Sequence, residues 1–125
     1  MSLIQNNLKI AAQVSAFLEK EYMQYHTHAK LASDFFVTER RLRYIFKTVT
    51  GKTINDFLTE VRIRKAKEYL SNTMDPVKTI ARNVGLDIRS LEKHFKKYTG
   101  MTPLDWRQHV NDRLYSGKVG AKKSE

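Results

Sequence analysis

The chain has 125 residues, with 23 Lys and Arg against 13 Asp and Glu, a formal net charge of +10 and no cysteine. The absence of cysteine excludes disulfides, thiolate metal sites and cysteine-dependent catalysis, and no apolar stretch approaches the roughly 18 residues of a membrane span. Because the N-terminus also lacks a signal peptide pattern, we expect a cytoplasmic protein, whose positive charge favours nucleic acid or an anionic membrane surface as partner.

Apolar residues recur at helical spacing along most of the chain, and glycine and proline are scarce, with five Gly and two Pro. We therefore predict an all-α fold of seven helices, near residues 8–25, 28–35, 38–50, 53–71, 76–84, 88–99 and 103–111. Asp75-Pro76 and Thr102-Pro103 each place a capping side chain before a proline at the first helical position. The stretch from Ser116 has little to bury and is predicted to be disordered.

An internal repeat is the most informative feature of the sequence. A shift of 49 residues places Leu31 on Ile80, Phe46 on Phe95 and Gly51 on Gly100 without a gap. Both copies read F-K-x-x-T-G-x-T followed by an aromatic residue, at Phe57 and Trp106. We divide the chain into an N-terminal helix with a first unit (1–52), a linker helix (53–72), a second unit (73–115) and a basic tail (116–125).

Each copy has the pattern of a helix-turn-helix, whose second helix enters the major groove of DNA. In the first copy the turn lies near Phe36-Val37, and Thr38 is expected to cap the second helix. We expect inward-facing side chains at Leu42, Ile45, Phe46 and Val49 in the first copy and at Leu91, His94, Phe95 and Tyr98 in the second. At about 100° per residue, the opposite face of the first copy carries Arg40, Tyr44 and Lys47, with Arg43 at its flank. The opposite face of the second copy carries Arg89, Lys93 and Lys96, with Glu92 and Lys97 at its flanks.

The stretch from about Thr27 to Val110 resembles the tandem helix-turn-helix DNA-binding domain of AraC/XylS-type bacterial transcription regulators. The resemblance is carried by IARNVGL (80–86), FKKYTGMTPLDWR (95–107), FKTVTGKT (46–53) and the linker FLTEVRIRKAKEYL (57–70). It implies sequence-specific binding of double-stranded DNA, with RNA polymerase as a further partner. The positions that match the family's base-reading residues are Arg40, Arg43, Tyr44, Arg89 and Lys93.

The sequence departs from the family pattern at two places. The turn between Gly85 and Phe95 is one residue shorter than is usual in the family, which bears on the phase of residues 88–90. Phe36 stands where a small residue usually makes the first turn. Either that turn is distorted, or Phe36 belongs to the core.

Cations near the two recognition helices are expected to bind DNA phosphates, and they are Lys47, Lys52, Lys96, Lys97 and Arg107. The linker helix, at about 19 residues, would span roughly 28 Å, which approaches the roughly 34–36 Å of one B-DNA turn. A monomer should therefore suffice to place both recognition helices in successive major grooves. The linker cations Arg62, Arg64, Lys65 and Lys67 fit equally a solvated face paired with Glu60 and Glu68 or a phosphate contact.

The sequence carries no motif that indicates catalysis, a metal or a cofactor. His26 and His28 do not share a helical face, and His94 falls on the inward side of its helix. Nucleotide-binding loops and nucleophile motifs are absent, so we do not expect an enzyme. The alternative to a DNA-binding regulator is a basic helical module that binds a protein or an anionic membrane surface without reading DNA sequence. A lipid-binding helix, however, pairs its basic face with a large exposed apolar face.

Overall fold

The computed structural model describes residues 2–118, and every regular element in that range is an α-helix. The helices are α1 (Leu3–Lys20), α2 (His28–Asp34), α3 (Glu39–Thr50), α4 (Ile54–Asn72), α5 (Val77–Asn83), α6 (Ile88–Thr99) and α7 (Pro103–Lys118). The prediction of an all-α fold with seven helices is confirmed over these residues. Across the same range, no helix is both long enough and apolar enough to cross a membrane.

The chain forms two compact units, Met1–Val61 and Arg62–Glu125, and the division falls inside α4. The part of α4 in the first unit buries Ile54, Leu58 and Val61, and the part in the second buries Ile63, Ala66 and Leu70. The helix that the sequence analysis assigned as a separate linker therefore supplies apolar side chains to each unit. Burial of such side chains is the main favourable term in folding.

The turns of the two units share three main-chain hydrogen bonds at equivalent positions. Within each turn, the amide of Val37 donates to the Ala32 carbonyl (3.0 Å), and the amide of Leu86 donates to the Ala81 carbonyl (2.9 Å). The second helices end at Gly51 and Gly100, whose φ angles of 80° and 79° lie in the left-handed region that favours glycine. The internal repeat in the sequence is thus a repeat of backbone geometry.

Aromatic pairs close the core of each unit in the same way. Phe46 packs edge-on against Phe57 with ring centroids 5.3 Å apart, and Phe95 packs edge-on against Trp106 at 5.8 Å. Phe46 and Phe95 are completely buried. Edge-to-face packing of this kind adds to the stabilisation from buried area.

The first helix differs from its predicted bounds of 8–25. It begins at Leu3, because Ser2 and Gln5 form a reciprocal capping box, and it ends at Lys20. The apolar spacing continues to Tyr22, which is buried although it lies beyond the helix end. The segment after α1 is held by His26, whose Nε2–H group donates to the Glu21 carbonyl (2.6 Å) and whose ring packs edge-on against Phe17.

The other helix ends lie within one residue of the prediction, except the end of α7. Pro76, predicted as the first residue of α5, is its N-cap residue, and no side chain caps that end. The last helix continues to Lys118, beyond the predicted end at residue 111, so residues 116–118 of the predicted tail are helical. The rest of that tail, residues 119–125, lies outside the described residues.

Candidate nucleic-acid interface

The recognition helix of the first unit is α3, and its sequence determines which side faces outward. Thr38 caps it by accepting a hydrogen bond from the Arg41 amide (3.1 Å), as predicted. Leu42, Ile45 and Phe46 are fully buried. The side chains on the opposite face are exposed, as expected, and they are Arg40, Arg43, Tyr44 and Lys47. Val49, predicted to face inward, is instead 37% exposed, because α3 is nearing its end there and little packs over it.

The recognition helix of the second unit is α6, and it repeats this arrangement. Its N-cap residue is Asp87, which accepts a hydrogen bond from the Ser90 amide (2.7 Å). That hydrogen bond is the main cause that lowers the pKa of the Asp87 carboxyl below its usual value. Leu91 and Phe95 are fully buried, whereas the predicted outward side chains are exposed, and they are Arg89, Glu92, Lys93, Lys96 and Lys97.

Two of the predicted inward positions of α6 are not core positions. Tyr98 is 36% exposed, like its counterpart Val49 in α3. His94, the counterpart of the buried Ile45, is half-buried. Its partial burial, followed by the nearby charges of Lys93 and Lys97, lowers the pKa of the imidazole below 6.5.

The second turn has the same geometry as the first, which determines the phase of α6. The amide of Phe36 donates to the Ser33 carbonyl (3.2 Å), and the amide of Gly85 donates to the Arg82 carbonyl (3.1 Å). Both recognition helices begin three residues later, at Glu39 and Ile88. Arg89 therefore occupies in α6 the position that Arg40 occupies in α3.

Phe36 does not belong to the core, which was one of the two interpretations left open by the sequence. Its side chain is 94% exposed. Its φ of 59° lies in the same left-handed region as Gly85, whose φ is 85°. The first turn thus keeps the normal backbone path, and Phe36 occupies a conformation that normally favours glycine.

Several of the proposed DNA-contacting cations also make contacts within the protein. Lys52 forms an ion pair with Glu60 at 2.6 Å, and Arg43 forms a longer one with Glu39 at 3.4 Å. Both pairs are about half exposed, so water screens them and their partners are easily exchanged. Lys47 donates to the Gly51 carbonyl at 3.3 Å, which caps the end of α3.

Arg107 has a structural role that the sequence did not indicate. Its Nε group donates to the Leu70 carbonyl (3.1 Å) and its Nη2 group to the Thr73 carbonyl (3.3 Å). These hydrogen bonds satisfy the Leu70 carbonyl in the last turn of α4 and the Thr73 carbonyl just beyond it. Arg107 therefore ties α7 to the end of α4, and its predicted phosphate contact stays a prediction.

Two of the linker cations differ in their surroundings. The Nζ atom of Lys65 lies 3.9 Å from the Oε1 atom of Glu68, about one helical turn away, as the solvated-face alternative predicts. Glu60, the other expected partner, pairs instead with Lys52. Arg62 is half-buried, and this burial lowers the pKa of its guanidinium.

The structure adds residues to the neighbourhood of α3 that sequence reasoning missed. A cleft of about 570 Å³ is bordered by Arg43, Tyr44 and Lys47 on one side and by His28 and residues 53–55 on the other. Residues 53–55 include the start of α4, and the N-terminal end of a helix dipole favours an anion. In the sequence, the threonine cap at Thr53 was the only feature that indicated a helix start at this place.

Comparison with known proteins agrees with this geometry. A family model described as a helix-turn-helix domain matches residues 31–109. The chain is 34% identical over 87 residues to the arabinose operon regulatory protein of Escherichia coli K12. The aligned residues make up 69% of this chain and 30% of that protein. It spans a quarter to a third of the length of the curated relatives it matches.

Solved structures show the same fold. The C-terminal domain of AraT, a response regulator from Geobacillus stearothermophilus, is 27% identical, with a TM-score of 0.77 over 80% of this chain and 84% of that one. The DNA-binding domain of AdpA, a global transcriptional factor solved with a target DNA, is 21% identical with a TM-score of 0.76, over 88% of this chain and 96% of that one. Since the family model matches more than half of its length, the chain belongs to the AraC family of helix-turn-helix transcription regulators.

Proposed function

We propose that this chain binds double-stranded DNA in a sequence-specific manner and thereby regulates transcription in the bacterial cytoplasm. The observation that carries the proposal is the agreement between α3 and α6. Each helix has fully buried apolar side chains on one face and exposed cationic side chains on the opposite face. One such helix is commonly only a solvated surface. Two at matching positions, each preceded by a helix-turn-helix turn, fit major-groove binding. Membership of a family of regulators confirms the expectation that the chain is not an enzyme.

Base reading is assigned to the outward side chains of the two recognition helices, which are Arg40, Arg43, Tyr44, Arg89 and Lys93. Arg40 and Arg89 occupy the same position in α3 and α6, near the helix start, where a recognition helix contacts base edges. An arginine there favours guanine, because its guanidinium donates to the O6 and N7 acceptors of that base.

Phosphate binding is assigned to Lys47, Lys52, Lys96 and Lys97, which are all exposed. Lys47 borders the cleft in front of the first turn of α4, so the lysine and the helix amides would bind one phosphate together. Lys52 would exchange Glu60 for a phosphate. Contacts of this kind orient the protein on the duplex without reading its sequence.

One copy of the chain carries both recognition helices, so a monomer should suffice for binding. The base-reading positions differ between the units. In the repeat, Tyr44 of the first unit corresponds to Lys93 of the second, and Arg43 corresponds to Glu92. The two halves of the DNA site should therefore differ in sequence, and the site should have a direction rather than a palindrome. RNA polymerase, as the family resemblance implies, would be the further partner of a regulator bound in this way.

Selection of bound duplexes from a random DNA pool tests the proposal directly. We expect two short base clusters about one helical turn apart, and insertion of about five base pairs between them should abolish most of the specific affinity. The slope of log affinity against log salt should be about −5 to −7, as expected for six to eight phosphate contacts. A slope near zero, or a selected pool without any preferred sequence, would contradict the proposal and favour a basic module that does not read DNA.

A further inference from the structure

Phe36 is unfavourable in two independent ways within its own unit. Its φ of 59° lies in the left-handed region, where a side chain is strained, and the equivalent residue of the second unit is Gly85. Its ring is 94% exposed to solvent. Glycine would relieve the strain and remove an exposed aromatic surface. A phenylalanine at this position therefore contributes nothing evident to folding, and exposed aromatic side chains of this kind serve as anchors in protein interfaces.

The ring of Phe36 stands at the edge of a groove of about 750 Å³ between α1 and the first turn. The apolar lining of the groove consists of Ile10, Phe35 and Val37, which are buried or half-buried. The lining also includes exposed polar residues of α1. Such an open groove does not enclose a small molecule, whose sites usually bury most of the ligand surface. It has the form in which an amphipathic helix or extended peptide binds.

The charged side chains that border the groove are Lys9 and Arg41, and both are positive. Lys9 is exposed and forms no ion pair with any residue in the described range. Arg41 is held in place by a hydrogen bond from its Nη2 group to the Asn7 side-chain oxygen (3.0 Å). A partner with carboxylates beside its apolar residues would match both cations.

The groove lies beside the DNA-reading face of α3, and Arg41 borders both. At about 100° per residue, Arg41 points roughly a quarter turn away from Arg40, on the side toward α1, and about 60° away from Tyr44, with which it lines a small surface pocket. The hydrogen bond to Asn7 of α1 agrees with this direction. A segment bound in the groove would therefore leave Arg43 and Lys47 free and would lie beside Tyr44.

We propose that this groove is a docking site for an acidic amphipathic segment of another protein, with Phe36 as the aromatic anchor and Lys9 and Arg41 as partners for its carboxylates. The site adjoins the proposed DNA-binding surface along Arg41 and Tyr44. A partner recruited there can be held on a promoter by the DNA-bound chain. The second unit lacks the aromatic anchor of this site, because Gly85 provides no ring.

The proposal is tested with a fluorescein-labelled helical peptide of about 16 residues that has Leu and Phe on one face and Glu on both flanks. Its affinity for the full chain is measured by fluorescence anisotropy. Phe36→Gly, which leaves the net charge unchanged, should weaken binding about tenfold or more, as expected for an interface anchor. Lys9→Gln should weaken it more than Lys20→Gln, a matched loss of one exposed α1 cation outside the groove.

The following outcomes would each overturn the proposal. Equal affinity of Phe36→Gly and the parent chain would mean that the peptide binds only through the overall positive charge. Equal effects of Lys9→Gln and Lys20→Gln would mean the same. A saturating labelled duplex, whose own binding is followed in a second channel, should leave peptide affinity within about twofold, since Phe36, Lys9 and Arg41 are not among the proposed DNA contacts. Displacement of the peptide by DNA would place the groove on the DNA-facing side.

Discussion

The two helix-turn-helix units of this protein share one backbone and differ in the side chains that it presents. Their turns, helix lengths, glycine ends and aromatic pairs agree position for position. Three differences stand out, with Phe36 in place of Gly85 in the turn, Ile45 in place of His94 under the recognition helix, and Tyr44 in place of Lys93 on its outer face. Backbone hydrogen bonds and the core thus preserve the fold, while the turn and the exposed face are free to specialise.

The largest effect is expected where the units are most alike. Phe46→Ala and Phe95→Ala should each destabilise their own unit by about 3–5 kcal/mol, because each removes a fully buried ring and leaves a cavity beside Phe57 or Trp106. Denaturant unfolding followed by hydrogen exchange of the two units measures this. A loss confined to one variant would mean that the two cores are not equivalent.

A smaller effect separates base reading from phosphate binding. Arg40→Ala should weaken the selected site by about 1–3 kcal/mol and relax its preference at one or two bases, whereas Lys96→Ala should weaken all duplexes to a similar extent. Affinities of both variants for selected and scrambled duplexes provide the comparison. If Arg40→Ala weakened both duplexes equally, Arg40 would be a phosphate contact.

The turns should respond in opposite directions to exchange of their residues. Gly85→Ala should destabilise the second unit by about 1 kcal/mol or more, because its φ of 85° is unfavourable for a side chain. Phe36→Gly should leave the stability of the first unit unchanged or raise it by up to about 1 kcal/mol, since relief of the strained φ outweighs the extra freedom of glycine when unfolded. Thermal unfolding of the two variants checks both signs. Marked destabilisation by Phe36→Gly would show that its ring supports the fold.

The smallest effect concerns His94 and pH. Burial lowers its folded-state pKa below the unfolded value of about 6.5, so folding favours the neutral imidazole. The contribution of the neutral imidazole to the free energy of unfolding has its full value above pH 6.5. It is lost as the pH falls from there to the folded-state pKa. His94→Ile copies Ile45 of the first unit and should reduce the decline in stability between about pH 7 and 5. An identical pH dependence in the parent chain and His94→Ile would assign the decline to other groups.

The sequence by itself was sufficient to predict much of this molecule, because the relevant signals are local. Helical spacing, the threonine caps at Thr38 and Thr102 and the glycines at 51 and 100 each act within a few residues of the helix ends that they define. The repeat then assigned both recognition helices and their outward faces, since side-chain direction follows from helical periodicity alone. Those assignments as base-reading and phosphate-binding residues remain predictions.

Tertiary structure decided the features that depend on partners distant in sequence. Arg107 caps a helix whose carbonyls lie more than thirty residues earlier in the chain, so its positive charge alone suggested a phosphate contact. Tyr22 is buried beyond the end of α1, so its apolar spacing wrongly extended that helix. The exposure of Phe36 follows from a left-handed turn that directs its ring away from the core and toward a groove completed by α1. No local pattern encodes that placement, because it arises only when α1 packs beside the turn.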